Sequence, residues 1–307
     1  MAPRVAFLLN LDAERELAGD AADPFRALEK RPETRARLTE LLSGALSVDR
    51  TVAAARGALG CSGIAWCPTP RAIETLVKAG ARPPSAPPVT VLRAVNDRRF
   101  SIASLLPDAP YRPVFLSGEA AARRAFDAPS PTGRYLLRQP LGFAGRGRLV
   151  TTGFNDRVAR FVARSIARFG GVSIEPLYDR TLDASIHGFL SESGDAVIGA
   201  PVITEVSNGG VFQGVRRAAE TAEASFGELG QALTANESRA LRAEAERVAS
   251  LLHGAGYFGP FGLDGFRYVF GGVTFFAPRC EINARYTMGW ATGMGDVRPD
   301  LPGGWSQ

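Results

Sequence analysis

Lysine is nearly absent from this chain of 307 residues: Lys30 and Lys78 are the only two, and the other 34 basic residues are arginine. A phosphate-binding lysine could come from only those two places, so guanidinium groups must take most of that work. Histidine is as scarce. His187 and His253 are the only two, and neither has a Ser-x-Gly elbow or a paired cysteine motif nearby, which argues against a hydrolase triad. Cys61, Cys67 and Cys280 are an odd number without a CxxC pair, which argues against a disulfide framework and a structural zinc site; buried thiols are expected. No run approaches the ~18 apolar residues of a membrane span, so no membrane partner is expected. The opening run Val5–Leu9 is too short for a signal-peptide core, and a cytoplasmic location is expected. Neither a GxGxxG after the first strand nor a GxxxxGK[ST] loop is present, which removes the usual dinucleotide fingerprint and the P-loop.

Against these absences stands an ordinary globular composition, 45% apolar and 22% charged, enough for one large or two ordinary domains. Charge is uneven. Residues 1–150 carry 22 basic and 14 acidic groups, whereas 151–307 carry 14 and 17. The basic first half could meet nucleic acid, but no arginine-rich run is interleaved with aromatics, so a polyanionic small molecule fits as well; no nucleic-acid partner is expected of the chain as a whole.

Strand and helix signals alternate from the start, which predicts a small α/β layer domain over residues 1–95. Its elements are a buried strand at Val5–Leu9, helices near 24–30, 33–46 and 49–58, a strand at Gly63–Cys67 and a helix from Thr69-Pro70 to Gly80. The Pro-dense stretch Ala81–Pro88 reads as a linker, and Val89–Val95 as a strand. A second domain, 96–307, is expected to hold a helix at Asp97–Leu106, a strand at Val114–Leu116, a helix at 118–126 and paired strands at Arg134–Arg138 and Arg148–Thr152. Amphipathic helices at 156–168 and 237–253 follow, with strands between them.

Two features carry chemistry. The segment Arg138-Gln-Pro-Leu-Gly-Phe-Ala-Gly-Arg-Gly147 places several turn-forming positions between two strands, so it is either an ordinary glycine hairpin or a nest of backbone N–H groups for an anion. The pair Gly262-Leu-Asp264 and Glu281-Ile-Asn283 supplies two acids and an amide oxygen. Glu281 and Asn283 share one side of their strand, and hard oxygen ligands of this kind suit Mg²⁺. Read alone they are equally exposed strand acids, but the flanking Phe261, Leu263, Phe266 and Ile282 would make an unpaired acid costly there.

In this order the pieces resemble the ATP-grasp superfamily over roughly residues 90–290. The resemblance rests on Asn96-Asp-Arg-Arg-Phe100, on Tyr135-Leu-Leu-Arg-Gln-Pro140 with Phe143–Gly147, on Ile174-Glu-Pro-Leu-Tyr178 with Asp183-Ala-Ser-Ile186, and on Tyr257–Gly265 with Glu281-Ile-Asn-Ala-Arg285. It implies an α/β chain with an ATP-grasp fold behind a small N-terminal domain, and an ATP- and Mg²⁺-dependent enzyme joining a carboxylate to an amine through an acyl phosphate. It further implies that Arg138 and the flap residues Gly145, Arg146 and Gly147 meet the phosphates. Glu175 and the backbone at Leu177 and Tyr178 would hold adenine, and Asp183 the ribose. Asp264, Glu281 and Asn283 would bind magnesium, with Arg285 near the transferred phosphate or the carboxylate. The glycine flap is expected as a lid, and 205–214 as a loop over the acceptor. Arginine stands at Arg138, and at Arg98 or Arg99, where the family usually has lysine. A small-molecule kinase and an inactive nucleotide-binding protein are the alternative readings, and a homodimer is the assembly the resemblance admits.

Overall fold

The computed structural model describes residues 4–21, 23–30, 38, 45–142, 147–206, 212–218, 220–221 and 232–301. The chain opens with β1 (Val5–Leu8), whose four residues are all buried, flanked in parallel by β2 (Leu46–Ser47) and β3 (Ser62–Ala65) in the order β2-β1-β3. A strand covered on both faces needs apolar residues at every position, which is why Val-Ala-Phe-Leu runs unbroken. Around it lie α1 (Ala13–Leu17), α2 (Arg26–Glu29), α3 (Arg50–Ala54) and α4 (Pro70–Lys78). Pro70 sits in the first turn of α4, where its missing N–H costs nothing. Most of the helix expected at 33–46 lies outside the described residues, and its last residue, Leu46, opens β2.

Two expectations need correction. The start of the Pro-dense stretch pairs with β3: Gly63 N–H donates to the Arg82 carbonyl at 2.7 Å, and Arg82 N–H to that of Cys61 at 2.9 Å. Residues 89–95 are helical, not a strand. In α5 (Val89–Asn96), Leu92 and Val95 are the buried pair, three apart, and Pro88 at the N-cap supplies a carbonyl for the Leu92 N–H. The valines mimic strand alternation, but burial on one helical face overrides their propensity. The boundary expected at residue 95 falls one residue before the end of α5. Next, α6 (Arg98–Ala103) starts under Asp97, whose carboxylate accepts from Arg99 N–H at 2.8 Å.

An antiparallel sheet follows in the order β4-β7-β5-β6, built from β4 (Val114–Leu116), β5 (Tyr135–Arg138), β6 (Arg148–Thr151) and β7 (Val172–Pro176). Two helices, α7 (Glu119–Arg124) and α8 (Asp156–Phe169), press Ala122, Val158 and Val162 onto Leu137, Leu149 and Ile174. Gly170 ends α8 at φ +74°, a left-handed conformation that glycine adopts at no steric cost.

The second, larger antiparallel sheet runs β11-β10-β8-β14-β15, with β9 also on β8. Its strands are β8 (Arg180–Leu190), β9 (Ala196–Ile198), β10 (Val202–Val206), β11 (Phe212–Arg217), β14 (Gly259–Phe270) and β15 (Val273–Asn283). Between β11 and β14, β12 (Glu220–Thr221) and β13 (Leu233–Thr234) form a small parallel pair ahead of α9 (Ala235–Gly254). The apolar stripe of α9, Leu241, Ala245, Val248 and Leu252, joins Ile186, Leu190, Leu263 and Ile282 in the main core. After β15 the chain turns into α10 (Trp290–Met294). Among the described residues no helix is long and apolar enough to cross a membrane.

Candidate active site

Strand register brings the expected oxygen ligands together. Asp264 of β14 lies opposite Glu281 of β15, and Gly262 opposite Asn283. Asn283 Nδ2 donates to Asp264 Oδ2 at 3.0 Å. Just beyond, the ladder bulges, so that Pro278, Arg279 and Cys280 share the space opposite Gly265 before pairing resumes at Ala277 and Phe266. A side chain on Gly265 would come within 2.7 Å of the Ala277 carbonyl, so the bulge requires glycine.

Two guanidiniums from other elements reach the same point. Arg98 Nη2, from the first turn of α6, donates to Glu281 at 2.8 Å, and Arg138 Nη1, from the end of β5, lies 3.4 Å from the other carboxylate oxygen. Arg138 Nε forms an ion pair with Glu175 of β7 at 2.5 Å. Tyr111, from the loop before β4, donates its hydroxyl to that same Glu175. Arg180 pairs with Asp183 at 2.8 Å and lies 4.1 Å above the Phe266 ring. A small pocket lined by Asn96, Arg98, Ser173, Glu175, Cys280 and Glu281 opens between α6 and the two sheets. Arg99, by contrast, stacks on Phe115 at 4.6 Å, so Arg98 is the arginine that enters the cleft.

Burial sets the electrostatics. Burial, and then the neighbouring charge of Glu281, push the Asp264 carboxyl up to about 6. For Glu281 burial works the same way, yet the guanidiniums of Arg98 and Arg138 outweigh it and hold its carboxyl below the usual range. Glu175 is only 3% exposed, and burial lifts it to about 8 against the pull of Arg98 and Arg180. Arg138 falls to about 10 through burial and the proximity of Arg98. Burial also pushes the Cys280 thiol up to about 12, so it is not a ready nucleophile.

The other expected site residues are placed less centrally. Leu177 N–H is already donated to the Arg134 carbonyl at 3.1 Å, and the Tyr178 ring packs on Tyr268 at 4.2 Å. Gly147 closes the β5–β6 hairpin, its carbonyl accepting from Gln139 N–H at 2.8 Å, while Gly145 and Arg146 lie outside the described residues, as do 207–211 of the expected acceptor loop. Arg285 turns toward the first sheet, with Nε 2.5 Å from Glu14 of α1 and Nη1 3.0 Å from the Tyr286 carbonyl. His187, opposite Gly262 on β8, is buried and hydrogen-bonded to Thr287 at 2.8 Å. Sequence reasoning missed Tyr111, Arg180 and Glu14. Arg180 lay between two recognised motifs, two residues after Tyr178 and three before Asp183; Tyr111 and Glu14 carried no local signal.

Among the described residues no three His, Cys, Asp or Glu side chains converge as a metal cluster. The set here is two carboxylates and one amide oxygen, hard donors that suit magnesium, and a divalent cation would offset both the burial and the Glu281 charge that raise Asp264.

No protein-family model matches the chain, and no curated protein matches it. Solved structures do. Biotin carboxylase from Campylobacter jejuni, in a beta-gamma-ATP complex, superposes with a TM-score of 0.57 at 12% identity over 98% of this chain and 69% of that one. Pyruvate carboxylase from Rhizobium etli gives 0.55 at 16% identity, and this chain spans 28% of it while 98% of this chain is covered. The D-cycloserine synthetase DcsG gives 0.51 at 17% identity over 96% of each chain. At these identities the likeness shows the fold: two sheets facing across a cleft, the ATP-grasp architecture.

Proposed function

We propose that this chain is an ATP- and Mg²⁺-dependent carboxylate–amine ligase that forms an amide or peptide bond through an acyl phosphate, acting on amino acids or a small metabolite. The observation that carries the reading is the cluster of Asp264, Glu281 and Asn283 on two paired strands, with Glu281 ion-paired to Arg98 and Arg138 from facing elements. Asp264, Glu281 and Asn283 would hold magnesium, which would supply positive charge at the nucleotide's phosphates.

A carboxylate is a poor electrophile and must be activated first. One of its oxygens attacks the γ-phosphorus, the bond from that phosphorus to the β,γ-bridging oxygen breaks, and ADP leaves. Arg98 and Arg138 are the cations proposed to meet that charge, and as groups fixed in a buried cleft they would stabilise it without reorganisation. The amine then attacks the acyl carbon, phosphate departs, and the amine's proton passes to solvent. Arg285, fixed by Glu14 on the side of the first sheet, is the cation proposed to meet the carboxylate.

The test is product release from purified protein. ADP and phosphate should appear only when ATP, magnesium, a carboxylate and an amine are all present. Hydroxylamine should trap a hydroxamate, because an acyl phosphate reacts with it and the product of hydroxyl phosphorylation does not. ADP without hydroxamate would identify a kinase. ATP binding without turnover across an amino-acid panel would identify a nucleotide-binding protein.

A further inference from the structure

Arginine in place of lysine at position 138 poses a geometric problem. An ammonium is a point charge, whereas a guanidinium is a planar fork whose direction decides which atoms it can reach. In this chain the fork is held from behind. Arg138 Nε lies against Glu175, leaving Nη1 turned to Glu281 and the cleft. Glu175 is in turn held by the Tyr111 hydroxyl, and Tyr111, only 2% exposed, packs edge-on against Phe266 at 5.0 Å. Of the two oxygens of the carboxylate expected to meet adenine, one accepts from Tyr111 and the other is buried in ion-pair contact with Arg138 Nε, without an aligned hydrogen bond.

We infer that Tyr111 and Glu175 are positioning residues that aim Arg138 at the nucleotide's phosphates, and that Glu175 does not read the base. The inference rests on the proposal that ATP occupies this cleft. It assigns a role to Tyr111, in a loop that no motif marked, and changes the role of Glu175 from base recognition to support of a phosphate-binding cation.

The experiment compares the affinities of ATP and adenosine for the full-length protein by calorimetry. Tyr111→Phe keeps the ring that packs on Phe266 and removes only the hydroxyl. It should weaken ATP about tenfold, the scale of losing one buried hydrogen bond, and leave adenosine within twofold. In an Arg138→Met background the same substitution should change ATP affinity less than twofold, because a residue acting through Arg138 has nothing left to act on. Glu175→Gln should repeat the pattern and serves where Tyr111→Phe does not fold. Equal losses for ATP and adenosine would place Glu175 on the base and overturn the inference. So would an undiminished effect of Tyr111→Phe without Arg138. If the unaltered protein binds ATP no better than adenosine, the reading of the cleft fails first and this inference with it.

Discussion

Asp264 and Glu281 face each other as two acids in one buried site, and Glu281, unlike Asp264, is ion-paired to two guanidiniums. Removing the Glu281 charge should uncouple binding from chemistry. Glu281→Gln is expected to lower the rate of ADP release by about 100-fold or more, the scale seen when one preorganised electrostatic contact is lost at a reacting centre. Nucleotide binding should persist, and steady-state kinetics beside calorimetry separate the two effects. His187 illustrates a different case, a titratable residue held neutral in the core. It is 1% exposed and held neutral by burial, with its pKa lowered to about 3. The unfolded chain binds a proton at His187 below its ordinary value of about 6.5, and the folded chain does not. Its contribution to stability is therefore complete above pH 6.5 and is lost as pH falls toward 3. Between pH 6 and 4 the protein should lose up to about 1.4 kcal/mol per pH unit relative to His187→Gln, measured by urea unfolding. Parallel pH curves for the two proteins would refute this. The residue types at the site were legible in the sequence because Glu-x-Asn on a strand must share a side. The direction of Arg285 was not, because its partner Glu14 lies 271 positions away.

Helix α9 shows how one element is both readable and hidden. Its apolar period was plain, and Thr234 with Glu237 forms the reciprocal capping box at its start. Thr234→Ala should cost about 1 kcal/mol, the ordinary value of an N-cap. The same helix is also pinned to the large sheet by buried ion pairs. Arg267 reaches Glu237, with Nε donating at 2.7 Å, and Arg279 lies 3.0 Å from Glu244. Arg267→Ala would strand a buried carboxylate and should cost about 3–5 kcal/mol, well above the cap, so urea unfolding of the two variants ranks the contributions. Glu237 and Glu244 are seven apart and share a helix face, but nothing local pairs them with arginines on β14 and β15. Helix α5 failed in the reverse direction. Its valines alternate as a strand would, and only packing against its neighbours shows that Leu92 and Val95 are the buried face.

At the scale of the molecule, the site belongs to no single element: Arg98 comes from α6, Arg138 from β5, Glu175 from β7, and the acids from β14 and β15. A ligand held between two sheets stabilises both of them. Mg²⁺ and ATP at about 100 times the dissociation constant should add about 2.7 kcal/mol to the unfolding free energy, visible as a rise in melting temperature that Asp264→Asn largely removes. The sequence alone determined the alternation of strands and helices, the buried first strand, the paired β5 and β6, and the acids on the last two long strands. Those follow from periodicities of two and 3.6 and from short-range steric rules. Tertiary structure alone decided that Arg98 rather than Arg99 enters the cleft, that Glu175 grips Arg138, and that Arg285 turns to Glu14. Each of these depends on which side chains meet across long chain separations, and the low dielectric of a buried cleft makes those meetings strong enough to set direction and charge.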